Sequence, residues 1–178
     1  MVNDKPVYYK NYRDYLDGKK QLEEIMGSSY LQSDIISMVF YFLMSSVGKK
    51  YKVLTNELGL QLERGTTRSA DIAIISKAKL KSADIKDKRK YITIPPEVVI
   101  EVDVKADLEE NQQEFSYINT KTEQLFKFGV AKVIWILSGS EKIIVAEPGV
   151  NWEIVSWNKD ICIIDSLMLN LQNLLEEK

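Results

Sequence analysis

The sequence predicts an α/β fold: one domain spanning residues 1–178, with a mixed central β-sheet flanked by helices. Three observations carry that expectation. Short runs rich in Val and Ile recur from Leu60 to Ile164, the composition and length of strands. An apolar stripe at i, i+3, i+4, i+7 and i+8 passes through Ile35, Met38, Val39, Phe42 and Leu43, the face of a core helix. A second helical stretch, 115–128, falls among the strands, as expected when helices cover a sheet.

From the N-terminus, 11–16 reads as a short helix closed by Asp17-Gly18, and 21–26 as a strand that turns at Gly27-Ser28-Ser29. Ser33 is the expected N-cap of the long apolar helix, whose stripe is widened by Ile36 and Phe40, so it should be buried on more than one side. Strands are expected at 60–63, 70–76, 98–104, 132–137, 142–146, 152–155 and 161–164. Gly129 stops helix 115–128 in the manner of a glycine after the last turn. Asp165-Ser166 starts a terminal helix whose Leu167, Leu169, Leu171, Leu174 and Leu175 only partly match one face.

Composition narrows the chemistry. With 45% hydrophobic and 28% charged residues the chain can build an ordinary globular core. Basic residues number 24 against 26 acidic ones, so attraction to a polyanion must come from a local patch. There is no histidine, which removes Ser-His-Asp and Cys-His mechanisms and imidazole metal sites. Hydrolytic chemistry would have to use carboxylates, lysine and a hard cation. The single cysteine, Cys162, lies in an apolar strand and allows no internal disulfide. Residues 1–6 lack the apolar core of a signal peptide, and the greasy run from Ile35 to Met44 is short of the ~20 residues that span a bilayer. The expectation is a cytoplasmic protein with no membrane partner.

Charges inside the apolar runs locate a candidate site. Asp71 opens one strand run and Glu101 sits within another, Val98-Val99-Ile100-Glu101-Val102. Desolvating an ionised carboxylate costs several kcal/mol (~) unless it is paired or metal-bound, so two such acids on neighbouring strands point to a shared cation. Alternation puts Val99, Glu101, Asp103 and Lys105 on one face of the strand; the bland alternative is an edge strand with one solvated face. Lys121 lies three residues from Ile118 and four from Leu125, so it flanks the buried face of helix 115–128 and could carry its ammonium toward the acids. Phosphodiester hydrolysis needs a nucleophilic water and neutralisation of developing charge. Mg²⁺, or Mn²⁺ in its place, held by Asp71 and Glu101 with the carbonyl of Val102 as a third oxygen, would meet both needs, with Lys121 orienting or deprotonating the water. Glu23 is a candidate for the outer shell or a second metal site, or else a surface carboxylate.

Four elements in order resemble the Uma-two group of endonucleases within the PD-(D/E)XK superfamily. They are Glu23-Glu24-Ile25-Met26-Gly27, Arg68-Ser69-Ala70-Asp71, the Pro95-Pro96 to Glu101-Val102 stretch, and Lys121 followed by Gly129-Val130 and Trp135. The resemblance implies a restriction-endonuclease-like core, Mg²⁺ on Asp71 and Glu101, and a catalytic lysine moved from strand to helix at Lys121. Departures are Ala70 for the motif proline, Ser33 for a histidine, Leu125 for a tyrosine and the additional acid Asp103. A second frame stays open: Asp103-Val104-Lys105 is a literal Asp-x-Lys on the strand. The flanking elements favour the Glu101 and Lys121 frame.

Between the two acidic strands, 77–90 carries seven basic residues against Asp84 and Asp87, a balance of +5 in a chain of net charge −2. Lys86, Lys88, Arg89 and Lys90 could hold phosphates there; a solvated loop is the other reading. The expected activity is a Mg²⁺-dependent endonuclease acting on nucleic acid, with DNA the expected form. The alternative is a nuclease-fold module that binds nucleic acid or a protein without useful turnover. Assembly as a homodimer is left open.

Overall fold

The Val- and Ile-rich segments assemble into a six-stranded sheet in the computed structural model, which describes residues 8–9, 11–83, 85, 87–103, 106–107 and 114–176. The described elements begin with β1 (Tyr8–Tyr9), α1 (Tyr12–Leu16), α2 (Leu22–Met26) and α3 (Tyr30–Val47). The hairpin β2 (Tyr51–Glu63) and β3 (Thr66–Ser76) follows, then α4 (Lys77–Ser82), β4 (Val98–Val102), β5 (Ala106–Asp107) and α5 (Glu114–Phe128). The chain continues through β6 (Lys132–Leu137), β7 (Lys142–Ala146), β8 (Glu153–Ser156), β9 (Ile161–Ile164), β10 (Leu167–Leu169) and α6 (Leu171–Glu176).

The sheet runs β2-β3-β4-β6-β7-β8, with β1 and β5 forming one separate pair and β9 and β10 another. Its neighbours are antiparallel except β4 and β6, which are parallel. A parallel pair needs a long crossover, and α5 provides it. On one face of the sheet, Ile35, Val39 and Leu43 of α3 and Leu171 and Leu174 of α6 pack with Ile72, Ile74, Val98, Ile100 and Ile134. On the other, Ile118 and Leu125 of α5 pack with Ala73, Val99, Val133 and Trp135. Both faces are therefore covered, and β4 is buried along its whole length between β3 and β6. The edge-strand reading of the acidic strand is ruled out by this position.

Several expected elements differ. In the segment expected as a strand at 21–26, Leu22–Met26 is helical, and Gln21 is its N-cap, with Glu24 Oε2 reaching back to accept from Gln21 N at 2.6 Å as in a capping box. Ser29, not Ser33, caps α3: its Oγ accepts from Gln32 N at 3.2 Å. The strand expected at 60–63 reaches back to Tyr51; Asn56 and Glu57, at φ 69° and 52°, form a bulge that breaks its alternation. At the C-terminus, β10 pairs with β9 where a helix was expected, and α6 starts only after Asn170, whose Oδ1 accepts from Asn173 N.

Helix α3 is longer than the apolar run suggested. Its 18 residues, mean hydropathy 1.2, are long and apolar enough to cross a membrane by length and composition. Here its Ile35, Val39 and Leu43 side chains are fully enclosed against the sheet.

Candidate active site

Strand register brings the two acids together. Ile72 pairs with Ile100, so one step further along the antiparallel ladder Asp71 lies opposite Glu101. There β3 and β4 part, and the Asp71 side chain takes over the ladder's role: its Oδ2 accepts from Val102 N at 2.8 Å. Thr55, just before the β2 bulge, donates from Oγ1 to the Asp71 main-chain carbonyl at 2.9 Å. Asp71 and Glu101 are 4% and 5% exposed, far drier than carboxylates ordinarily are.

Lys121 enters from α5 with equally little exposure, 5%. Its Nζ lies 2.9 Å from Glu101 Oε2. Trp135 stands beside Glu101 in the β4–β6 register, and the Lys121 ammonium sits over its ring, 5.5 Å from the centroid. The indole is itself fixed, donating from Nε1 to Thr122 Oγ1 at 3.0 Å and meeting Tyr117 edge-on. Burial is the largest single influence on the Lys121 ammonium and pulls its pKa down. The Glu101 carboxylate, then Tyr117, the hydrogen bond to Glu101 and the Asp71 carboxylate together outweigh it, so the net pKa lies above the ordinary lysine value. Asp71 and Glu101 thus act on the same ammonium.

Val102 is held at both ends of its backbone. While its N–H donates to Asp71, its carbonyl accepts from Gln32 Nε2 at 2.6 Å. Gln32 is a buried amide on α3 that sequence reasoning missed because the helix was expected to start at Ser33. Its signal was available: Gln32 is three residues before Ile35 and seven before Val39, on the stripe that faces the sheet. A cleft of about 840 Å³ opens beside Asp71, lined also by Asn56 and Glu57 of the bulge, by Ser33 and Ser37 of α3 and by Met26. Glu57 is a second residue not singled out in the sequence, because strand alternation gave no reason to expect a bulge there.

The remaining candidates lie elsewhere. Alternation placed Asp103 on the Glu101 face, but Asp103 takes a left-handed φ of 59°, which ends the alternation. Its Oδ1 and Oδ2 accept from Ser138 N and Oγ, each at 2.7 Å, so it clasps the end of β6. Glu23 is exposed on α2 and does not line the cleft. Lys105 and Lys86 fall outside the described residues. Lys88, Arg89 and Lys90 are exposed, with Arg89 Nε 3.2 Å from Asp87. Arg68, of the Arg-x-x-Asp element, donates from Nε to Gln124 Oε1 of α5 at 2.8 Å and ties β3 to the lysine helix. Among the described residues, no group of three or more His, Cys, Asp or Glu side chains gathers into a metal cluster.

Compared by sequence with known proteins, the chain matches no family model and no curated protein. By structure it is similar to a crystal structure from Anabaena variabilis described as that of a "putative nuclease belonging to DUF820", with a TM-score of 0.62 and 16% identity. The match covers 84% of this chain and 82% of that one. The likeness is one of fold: a mixed sheet flanked by helices.

Proposed function

We propose that this chain is a Mg²⁺-dependent endonuclease that hydrolyses phosphodiester bonds in DNA, with Asp71, Glu101 and Lys121 at its centre. The observation that carries this reading is the convergence of two buried carboxylates and one buried ammonium where β3 and β4 part. The fold likeness to a protein described as a "putative nuclease" and the resemblance to the Uma-two group point the same way.

The donors fit a hard cation. Asp71 and Glu101 offer carboxylate oxygens, and the Val102 carbonyl keeps a second lone pair beside the one that Gln32 uses. Mg²⁺ needs only one or two carboxylates because it retains several of its own waters, so a third acid is not required. Mn²⁺ suits the same oxygen donors. Bound there, the cation would supply Lewis-acid stabilisation of a phosphoryl oxygen and a water of lowered pKa.

The protein's own groups divide the remaining work. Asp71 and Gln32 hold the Val102 backbone at its N–H and its carbonyl and so fix the position of the neighbouring Glu101. The Glu101 and Asp71 carboxylates favour the charged form of Lys121, which suits the ammonium to an electrostatic role. It would orient water or phosphate by hydrogen bonding and offset negative charge as the transition state forms. Trp135, nearly fully buried, shields one side of the ammonium from solvent.

Nicking of supercoiled plasmid tests the reading. Wild-type protein with Mg²⁺ or Mn²⁺ should convert plasmid to open circle, while Asp71→Ala and EDTA controls should not. Equal nicking by Asp71→Ala, or none by wild type with either metal on any nucleic acid, would reject it.

A further inference from the structure

A groove of about 1110 Å³ lies beside β2, apart from the cleft at Asp71, and it joins an apolar floor to a basic rim. Leu54, Leu58 and Ile92 contribute to the floor, and Lys52, Lys81, Lys88 and Lys90 to the rim. These four lysines are exposed, and none makes an ion pair with another of the described residues. Asp87 also lines the groove, but it is engaged with Arg89. A rim of this charge is complementary to a polyanion.

The groove also holds an anchored aromatic ring. Ile92 pairs with the outer edge of β2, donating to the Gly59 carbonyl at 3.0 Å and accepting from Gln61 N at 2.9 Å. That pairing sets the preceding residue, Tyr91, directly on Gly59, where a Cβ would collide with the ring. Glycine here makes room for the ring to lie against the strand. Tyr91 nevertheless remains 58% exposed, a large amphipathic surface held in place among lysines.

We infer that this groove binds unpaired nucleic acid, with a base stacked on Tyr91 and the flanking phosphates on Lys88, Lys90 and Lys81. The inference rests on the nuclease reading for the purpose of binding and adds the form of strand that is engaged. Lysines alone would suit a duplex equally well, since phosphate contacts read no base. An apolar floor and an aromatic platform instead reward base faces, which a duplex keeps inside its stack; the combination is that of single-strand binding sites.

Fluorescence anisotropy of the full chain in EDTA, which prevents metal-dependent turnover, separates the possibilities. The probes are a short labelled oligothymidylate, its duplex with oligoadenylate, and an abasic oligonucleotide of equal length. The single strand should bind about tenfold or more tightly than either of the others, from the stacking of one base. Tyr91→Ala should lose that advantage and Tyr91→Phe should keep it. Lys88→Gln with Lys90→Gln should lower the salt slope by about 1.4, at ~0.7 per single-strand phosphate contact. Equal binding of the abasic strand or duplex, or an unchanged affinity for the single strand in a folded Tyr91→Ala protein, would overturn the inference. Plasmid nicking that depends on Asp71 but not on Tyr91 would then leave the nuclease reading intact, whereas Tyr91-dependent binding without any nicking would uphold the groove and reject the enzyme.

Discussion

The Lys121 ammonium and the Glu101 carboxylate lie 2.9 Å apart with only 6% of each side chain exposed. A pair this dry is held by mutual compensation, and removing one partner leaves a desolvated charge at a cost of about 3–5 kcal/mol. Lys121→Met should destabilise the fold by that order in urea denaturation. Adding Glu101→Gln should restore a substantial part of it, because the orphaned charge is gone. Additive losses in the double variant would show that the two groups are not coupled.

The same pair sets a pH dependence. The folded-state pKa of Lys121 is raised above 10.5, so its contribution to stability is fully present below that value. It is lost as pH climbs through the folded pKa. Wild-type stability from this group should therefore be flat across neutral pH and fall in the alkaline range, with the Lys121→Met protein showing a smaller alkaline decline. A decline of equal size in both would detach the effect from Lys121.

Gln32 provides a separate handle on the site. Its amide satisfies the Val102 carbonyl inside the protein, and a buried acceptor deprived of its donor costs about 1–3 kcal/mol. Gln32→Leu should lose stability of that order and weaken nicking, since the Val102 backbone that positions Glu101 loses one of its two tethers. Gln32→Glu, protonated at low pH and able to donate, should recover stability as pH falls. Neutral behaviour of Gln32→Leu in both measurements would reduce the contact to incidental packing.

The parts of this arrangement that were legible in the sequence are those where charge interrupts an apolar run. Asp71, Glu101 and Lys121 stood out because their neighbours are core residues, and burial makes such positions expensive. The sheet was legible for the same reason, and β6, β7 and β9 have the bounds that their apolar runs suggest. What escaped depends on local backbone geometry. The bulge at Asn56 and Glu57 hid the first half of β2, and the left-handed Asp103 turned an expected neighbour of Glu101 toward Ser138. The capping box at Gln21 and Glu24 starts a helix in a segment expected as a strand, and a register pairing fixed Tyr91 on Gly59. None of these follows from hydrophobic periodicity.

Asp103 decides between the two frames of the acidic strand. Because both its carboxylate oxygens are held by Ser138, Asp103→Ala should cost about 1–3 kcal/mol of stability while leaving most nicking activity intact. Lys105→Met should likewise retain most turnover, whereas Lys121→Met, assayed under conditions where it is folded, should lose most of it through kcat. An inactive Asp103→Ala together with an active Lys121→Met would transfer the chemistry to the literal Asp-x-Lys motif.

Calorimetric titration of Mn²⁺ into the wild-type chain and into Asp71→Ala and Glu101→Ala tests the shared-cation account most directly. Cross-strand placement of the two acids predicts a single site in the wild type, a rise in melting temperature on binding, and loss of both effects in either variant. Unchanged Mn²⁺ binding in both folded variants would contradict the account, because the cation would then be held by other groups.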